Sequence, residues 1–202
     1  MRWCGWLILA ICFVNSVGCS TLRTTDPPRT ATEQYLLNEA SRRSVDKLLT
    51  APLRDRLVFV DTTYLIGSDA PQPEHLFLVG ELRTKLLEAG ARLTNERSKA
   101  QVVLEVRAVG VGIDRLETLI GIPSMALNSA STASAPLLTP ELAIVKRLRQ
   151  RGYSSVAYVA FWRDTGEIVT SSGPFMGKTE REDFWILGFG PRTIGTIPPA
   201  KE

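Results

Sequence analysis

Histidine, cysteine and a surplus of either charge are all scarce in this chain, and each scarcity removes a class of function. The one histidine, His75, has no Glu-x-x-His or His-x-x-x-His spacing around it, so no metal site can be read from the sequence. A Ser-His-Asp triad has no visible partner set either. The three cysteines, Cys4, Cys12 and Cys19, all lie near the start, so no disulfide can brace the rest of the chain. Its stability must come from a packed core, for which more than 150 residues suffice. Basic and acidic residues number 24 and 21 and alternate along the chain. That near balance argues against a nucleic-acid partner, which calls for basic residues gathered on one face. Long apolar runs are also missing. The strongest, Trp6 to Val14, has nine residues where a membrane-spanning helix needs about 20.

That short run has a context. Arg2 precedes it and small residues follow, the three-part pattern of a secretory signal. It ends in Ser16-Val17-Gly18-Cys19, which resembles the lipobox of bacterial lipoproteins, although Ser16 stands where that pattern usually has an aliphatic residue. The resemblance implies a signal peptide over 1–18 and Cys19 as a lipidated, palmitate-bearing mature N-terminus. A mature chain with one cysteine fits, because acylation would occupy the leftover thiol. Residues 19–30 then form the polar tether, stiffened by Pro27-Pro28. Ser20 replaces the aspartate that in enterobacterial lipoproteins signals inner-membrane retention, so the resemblance favours the outer membrane, facing the periplasm, in a source with two membranes.

From residue 31 a single α/β domain is expected to run to 190, followed by a polar C-terminal tail, 191–202. Thr30-Ala31-Thr32-Glu33 reads as a capping box opening an amphipathic helix up to Leu49. Leu57-Val58-Phe59-Val60 suits a buried strand, and Asp61 at its end is read as the start of a polar turn rather than a catalytic acid. A second helix over 74–89 presents Val79, Leu82, Leu86 and Ala89 and stops at Gly90. Val102, Leu104, Val106 and Ala108 alternate with polar residues, the clearest strand signal of the chain.

The stretch 110–136 loosens into a long loop, with three readings open: functional, mobile, or hiding an element. Thr139-Pro140 opens a third helix through Leu142, Val145 and Leu148, a strand over 142–146 being the competing reading. Residues 155–162 and 167–171 flank Arg163-Asp164-Thr165-Gly166 as a β-hairpin. The sum is an α+β fold, a single mixed or antiparallel sheet with helices on one face. Its element order loosely resembles periplasmic domains of the curli secretion family and of penicillin-binding-protein activators. The whole chain is similar to a family of uncharacterised bacterial lipoproteins, a likeness that implies no activity.

Two motifs invite a sharper reading. Gly173 to Thr179 ends in Gly-Lys-Thr, but three residues separate its glycines where a P-loop needs four, and Pro174 has no N–H to offer a phosphate. Glu180, Glu182 and Asp183 sit among Lys178 and Arg181, the pattern of a wet surface. No catalytic residue, cofactor or metal is therefore assigned. Phe184-Trp185-Ile186-Leu187-Gly188-Phe189 is the densest apolar stretch after Cys19. Folding back over the open sheet face is its first reading, and an exposed patch at Phe184, Trp185 and Phe189 for a partner or the nearby bilayer is its second. The expected function is a membrane-anchored, non-catalytic binding or assembly protein of the envelope, with an envelope protein or the cell wall as partner. The alternative is a periplasmic hydrolase using paired carboxylates.

Overall fold

A computed structural model describes residues 29–65, 73–108, 110–127 and 137–196. Cys19, the signal segment and most of the tether lie outside these residues. From Ala31 onward the chain forms a compact unit of its own.

Helix α1, Ala31–Val45, begins on the residue after Thr30 and buries Leu36, Leu37, Ala40, Ser41, Ser44 and Val45. It ends four residues earlier than its sequence pattern suggests. Strand β1, Leu57–Asp61, is followed by helix α2, Pro73–Glu88. Leu78, Leu82 and Leu86 of α2 are fully buried, and the helix stops at Gly90, whose φ is +88°. There the Ala91 N–H donates to the Leu86 carbonyl at 3.0 Å and the Gly90 N–H to Leu87 at 2.9 Å, the paired bonds of a Schellman stop. The chain crosses over into the short strand β2, Arg92–Thr94, and then into β3, Val102–Arg107, both parallel to β1.

In the next two stretches an alternative reading holds: 110–136 hides an element, and the strand replaces the expected third helix. Residues 111–122 are a strand, β4, and residues 142–162 are one strand of 21 residues, β7, with no helix at 142–148. Two-residue strands, β5 (Ala126–Leu127) and β6 (Leu137–Leu138), continue the β4–β7 hairpin outward. The expected turn at 163–166 is present, with Gly166 at φ +74°, but β8, Ile168–Ile186, is far longer than the five residues foreseen. Strand β9, Phe189–Gly195, pairs with β8, so the sheet extends past 190 into the expected tail.

The result is an α+β fold with one mixed sheet of seven strands, in the order β2-β1-β3-β7-β8-β9 with β4 on the outer half of β7. β7 is shared: residues 157–162 pair with β3, and residues 142–154 pair with β4. Both helices cover the same face. Leu78, Leu82, Leu86, Val45 and Leu48 pack on Val58, Val102, Leu104, Val106, Val156, Tyr158 and Ala160 to make the core. α1 lies along β7 and β8 through small residues. The Ser41 hydroxyl meets Ser154 at 3.2 Å, Thr179 donates to the Leu36 carbonyl at 2.9 Å, and Gly152 and Gly177 leave room for the helix backbone.

Candidate interaction surface

Helix α1 starts over Gln150 and Arg181, where Glu33 accepts from the Gln150 amide at 3.1 Å and Arg181 donates to Thr32 at 3.3 Å. Everything further out on the four strands β4, β7, β8 and β9 projects past the helix layer as an arm. From Arg149 to Leu142 alone it extends about 25 Å at about 3.3 Å per residue.

The registers place the arm's open-face side chains in rows. Nearest the tip, Ile122 pairs with Leu142. Next, Ile120, Val145, Ile186 and Phe189 face one another across all four strands. The third row is Thr118, Arg147, Phe184 and Arg192, and the fourth is Leu116, Arg149, Glu182 and Ile194. Asp114, Arg151 and Glu180 follow toward the body. The face thus grades from apolar at the tip to ionic at the root. In the all-apolar row Ile120 is 57% exposed, Ile186 50% and Phe189 82%. Leaving a large apolar side chain in water forgoes about 1.5 to 3 kcal/mol, and a contiguous cluster of this kind is rare on a monomer without a use for it. At the same height the helix-side face is mixed, with Leu119 and Trp185 on either side of Lys146. Lys146 pairs there with Glu117 at 3.0 Å and Glu141 at 2.9 Å, and Asp183 accepts from Thr193 and Arg181.

Phe184, Trp185 and Phe189 are therefore in the arm but do not form one patch. Phe184 and Phe189 share the open face, whereas Trp185 pairs with Lys146 on the opposite one and is half-buried. The segment does not fold back over the sheet as first read, because its backbone is taken up in β8 and β9.

The root of the face carries an ion-pair ladder. Arg147 forks onto Glu182 at 2.6 and 2.8 Å, Arg149 reaches Glu182 at 3.0 Å and Glu180 at 3.3 Å, and Arg151 reaches Glu180 at 3.3 Å. The bonds from Arg147 hold the Glu182 carboxyl below its usual range. The hollow that contains these two carboxylates is lined by their arginines as well. Asp183 faces the other way. Glu180 and Glu182 are clamped between arginines, poorly placed to trade a proton as a general acid must.

Other candidates resolve into structure. Asp61 Oδ1 accepts from the Thr63 N–H and hydroxyl at 3.1 and 2.6 Å, and Oδ2 accepts from Arg97 at 2.9 Å. Burial alone would raise its pKa, but these bonds from Thr63 and Arg97 outweigh it and lower the value. That is an Asx turn with an ion pair. The Gly-Lys-Thr segment lies inside β8 and forms no loop. His75 sits in the first turn of α2, and its Nδ1 is buried without a hydrogen-bond partner among the described residues. Among those residues no three His, Cys, Asp or Glu side chains gather as a metal site, and no helix is long and apolar enough to cross a membrane.

Each half of the ladder shows in the sequence as a period of two, Arg147, Arg149, Arg151 and Lys178, Glu180, Glu182, but their meeting does not. A helical reading of 142–148 hid it. Residues 13–200 of the chain match a family of unknown function, DUF6655. No curated protein matches it.

Proposed function

The chain belongs to the DUF6655 family, and since that family carries no assigned activity we propose from the chain's own residues that it is a lipid-anchored envelope protein with a non-catalytic binding or assembly domain. The observation that carries this reading is the uncovered row of Ile120, Ile186 and Phe189 on a projecting arm. An enzyme of this size would be expected to gather its polar groups in a cleft. Here the apolar residues gather on an open sheet face, and the neighbouring carboxylates are neutralised by arginines. The lipobox-like Ser16-Val17-Gly18-Cys19 supplies the anchor, with Cys19 as mature N-terminus and the outer membrane, on the periplasmic side, as its site in a source with two membranes. Several acyl chains hold far more firmly than the marginal grip of one.

Mass spectrometry of the protein from the membrane fraction tests the anchor. The expected result is an acylated Cys19 as first residue. An unmodified Cys19 or a different mature start sinks it. Cys19→Ala is expected to move the protein out of the membrane fraction or leave it unprocessed. Turnover of a periplasmic ester, peptide or glycoside substrate that disappears in Glu180→Gln or Glu182→Gln would establish the hydrolase reading instead.

A further inference from the structure

We infer that the open face of the β4-β7-β8-β9 arm lies against the lipid bilayer, with its apolar tip rows among the acyl chains and its arginine rows at the headgroups. The inference rests on the lipid anchor proposed above and names what the binding face contacts. Three observations lead to it.

The first is the order of the rows. From the tip inward they run Ile122 and Leu142; Ile120, Val145, Ile186 and Phe189; then Arg147 and Arg192 beside Phe184; then the paired Arg149 and Glu182 with Leu116 and Ile194 at the edges; then Asp114, Arg151 and Glu180, so charge enters only from the third row inward. A lipid surface has the same order, hydrocarbon below and charged headgroups above, and cationic and aromatic side chains suit the boundary between them. A face built to bury itself in another protein has no need of such a gradient along its length.

The second is the sidedness of the arm. At the height of the apolar row the opposite face is mixed: Leu119 and Trp185 flank Lys146 in register, and the Lys146 pairs with Glu117 and Glu141 hold charges there that the all-apolar row lacks. The outer edge of β4 and that of β9 both lack a partner strand among the described residues. Unpaired edges cannot enter hydrocarbon, where each free N–H or C=O would cost several kcal/mol. A single arm therefore meets the surface at a slant, tip and open face downward, without spanning.

The third is where the anchored chain enters. Only eleven residues, 20–30, separate Cys19 from Ala31, a reach of at most about 40 Å at about 3.5 Å per residue. Ala31 opens α1 at the arm's root, by Gln150 and Arg181. An anchor so short, joined there, keeps the arm's root within about 40 Å of the membrane.

The test uses the mature lipoprotein, purified from membranes and reconstituted into phosphatidylethanolamine–phosphatidylglycerol vesicles. Ile120→Cys, Phe189→Cys and Glu117→Cys each receive an environment-sensitive fluorophore, with and without spin-labelled (doxyl) phospholipid. The expected result is a blue-shifted emission that doxyl lipid quenches at positions 120 and 189, and a water-like, unquenched emission at 117. Equal behaviour at 120 and 117 in protein that stays vesicle-bound overturns the inference and leaves the anchor standing. A blue shift at 120 that lipid does not quench overturns it too, and identifies a second copy of the chain as the cover. Labelling of Cys19 itself, with the protein lost from the vesicles, refutes the anchor and the inference together.

Discussion

Gly177 and Lys178, neighbours in the Gly-Lys-Thr segment, have opposite weights. A Cβ on Gly177 would collide with the Ala40 carbonyl oxygen and stand 2.8 Å from the Ser44 nitrogen, so the glycine is what lets α1 lie on β8. Gly177→Ala is expected to cost about 1 to 3 kcal/mol, the range for overpacking a tight contact, read as a lower urea midpoint with an unchanged slope. Lys178, half-exposed with its Nζ 3.9 Å from Glu180, is expected to change stability by less than about 0.5 kcal/mol when replaced by Ala. A phosphate-binding lysine would not be so dispensable. Glu81 on α2 offers a test with a sign. Burial, with Asp46, Glu39 and Glu88 nearby, raises its pKa above 4.5. A carboxyl raised on folding stabilises the native state fully only below its unfolded pKa and loses that contribution as pH climbs through the folded value. Glu81→Gln should therefore raise the denaturation midpoint at pH 7 and leave it unchanged at pH 4, and an unchanged midpoint at both would show that Glu81 is as well solvated folded as unfolded.

Among the elements, β7 and β4 were the hardest to read and decide the most. Both faces of β4 mix apolar and charged residues, with Leu116 and Ile120 on one and Arg115, Glu117 and Leu119 on the other. Neither face of the arm is buried in a core, so selection for a buried stripe left no alternation to find. In β7 the apolar residues Leu142, Val145 and Leu148 happen to fall at helical spacing, and only pairing with β4 on one side and β8 on the other makes the stretch a strand. The local arrangement of the aromatic pair follows from that pairing. Trp185→Ala should cost less than the roughly 3 kcal/mol of a fully buried aromatic, and Phe189→Ala less than about 0.5 kcal/mol. Equilibrium denaturation of the two variants checks both, and a large loss at Phe189 would mean that its side chain is covered.

At the scale of the whole molecule the helix layer imposes a gradient of stability. Val156, Tyr158 and Ala160 of β7 sit in the core, while Val145 to Arg149 on the same strand have no helix above them among the described residues. Opening free energy follows local burial, so the amides of 145–149 should exchange with deuterium faster than those of 156–160 in detergent-free solution. Trp162 in the body and Trp185 in the arm allow the same comparison by fluorescence, using Trp185→Phe and Trp162→Phe in turn. The Trp185 signal is expected to unfold at the lower urea concentration. Vesicles should narrow the gap, because a ligand that binds only the folded arm stabilises it by mass action. Equal protection along β7 would mean that the arm is held by contacts other than those of the helix layer.

Local signals sufficed for the parts of this protein where one face is buried. The helix start after Thr30, the Leu82 and Leu86 stripe, Gly90, the alternation from Val102 to Val106 and the turn at Arg163–Gly166 each specify an element through short-range sterics, hydrogen bonding or period, and together they imply one sheet with helices on one face. The lipobox-like end of the leader is likewise a property of sequence. What only tertiary structure decided is the arm: that residues 111–122 and 142–149 are strands, that Arg147, Arg149 and Arg151 meet Glu180 and Glu182, and that Ile120, Ile186 and Phe189 form one row. The reason is that the pairings which set the arginines against the glutamates and Ile120 and Val145 beside Ile186 join residues 25 or more positions apart, although Ile186 and Phe189 are near neighbours in the chain. Where no core imposes a period, nothing within a short window of sequence records which partner a strand will find.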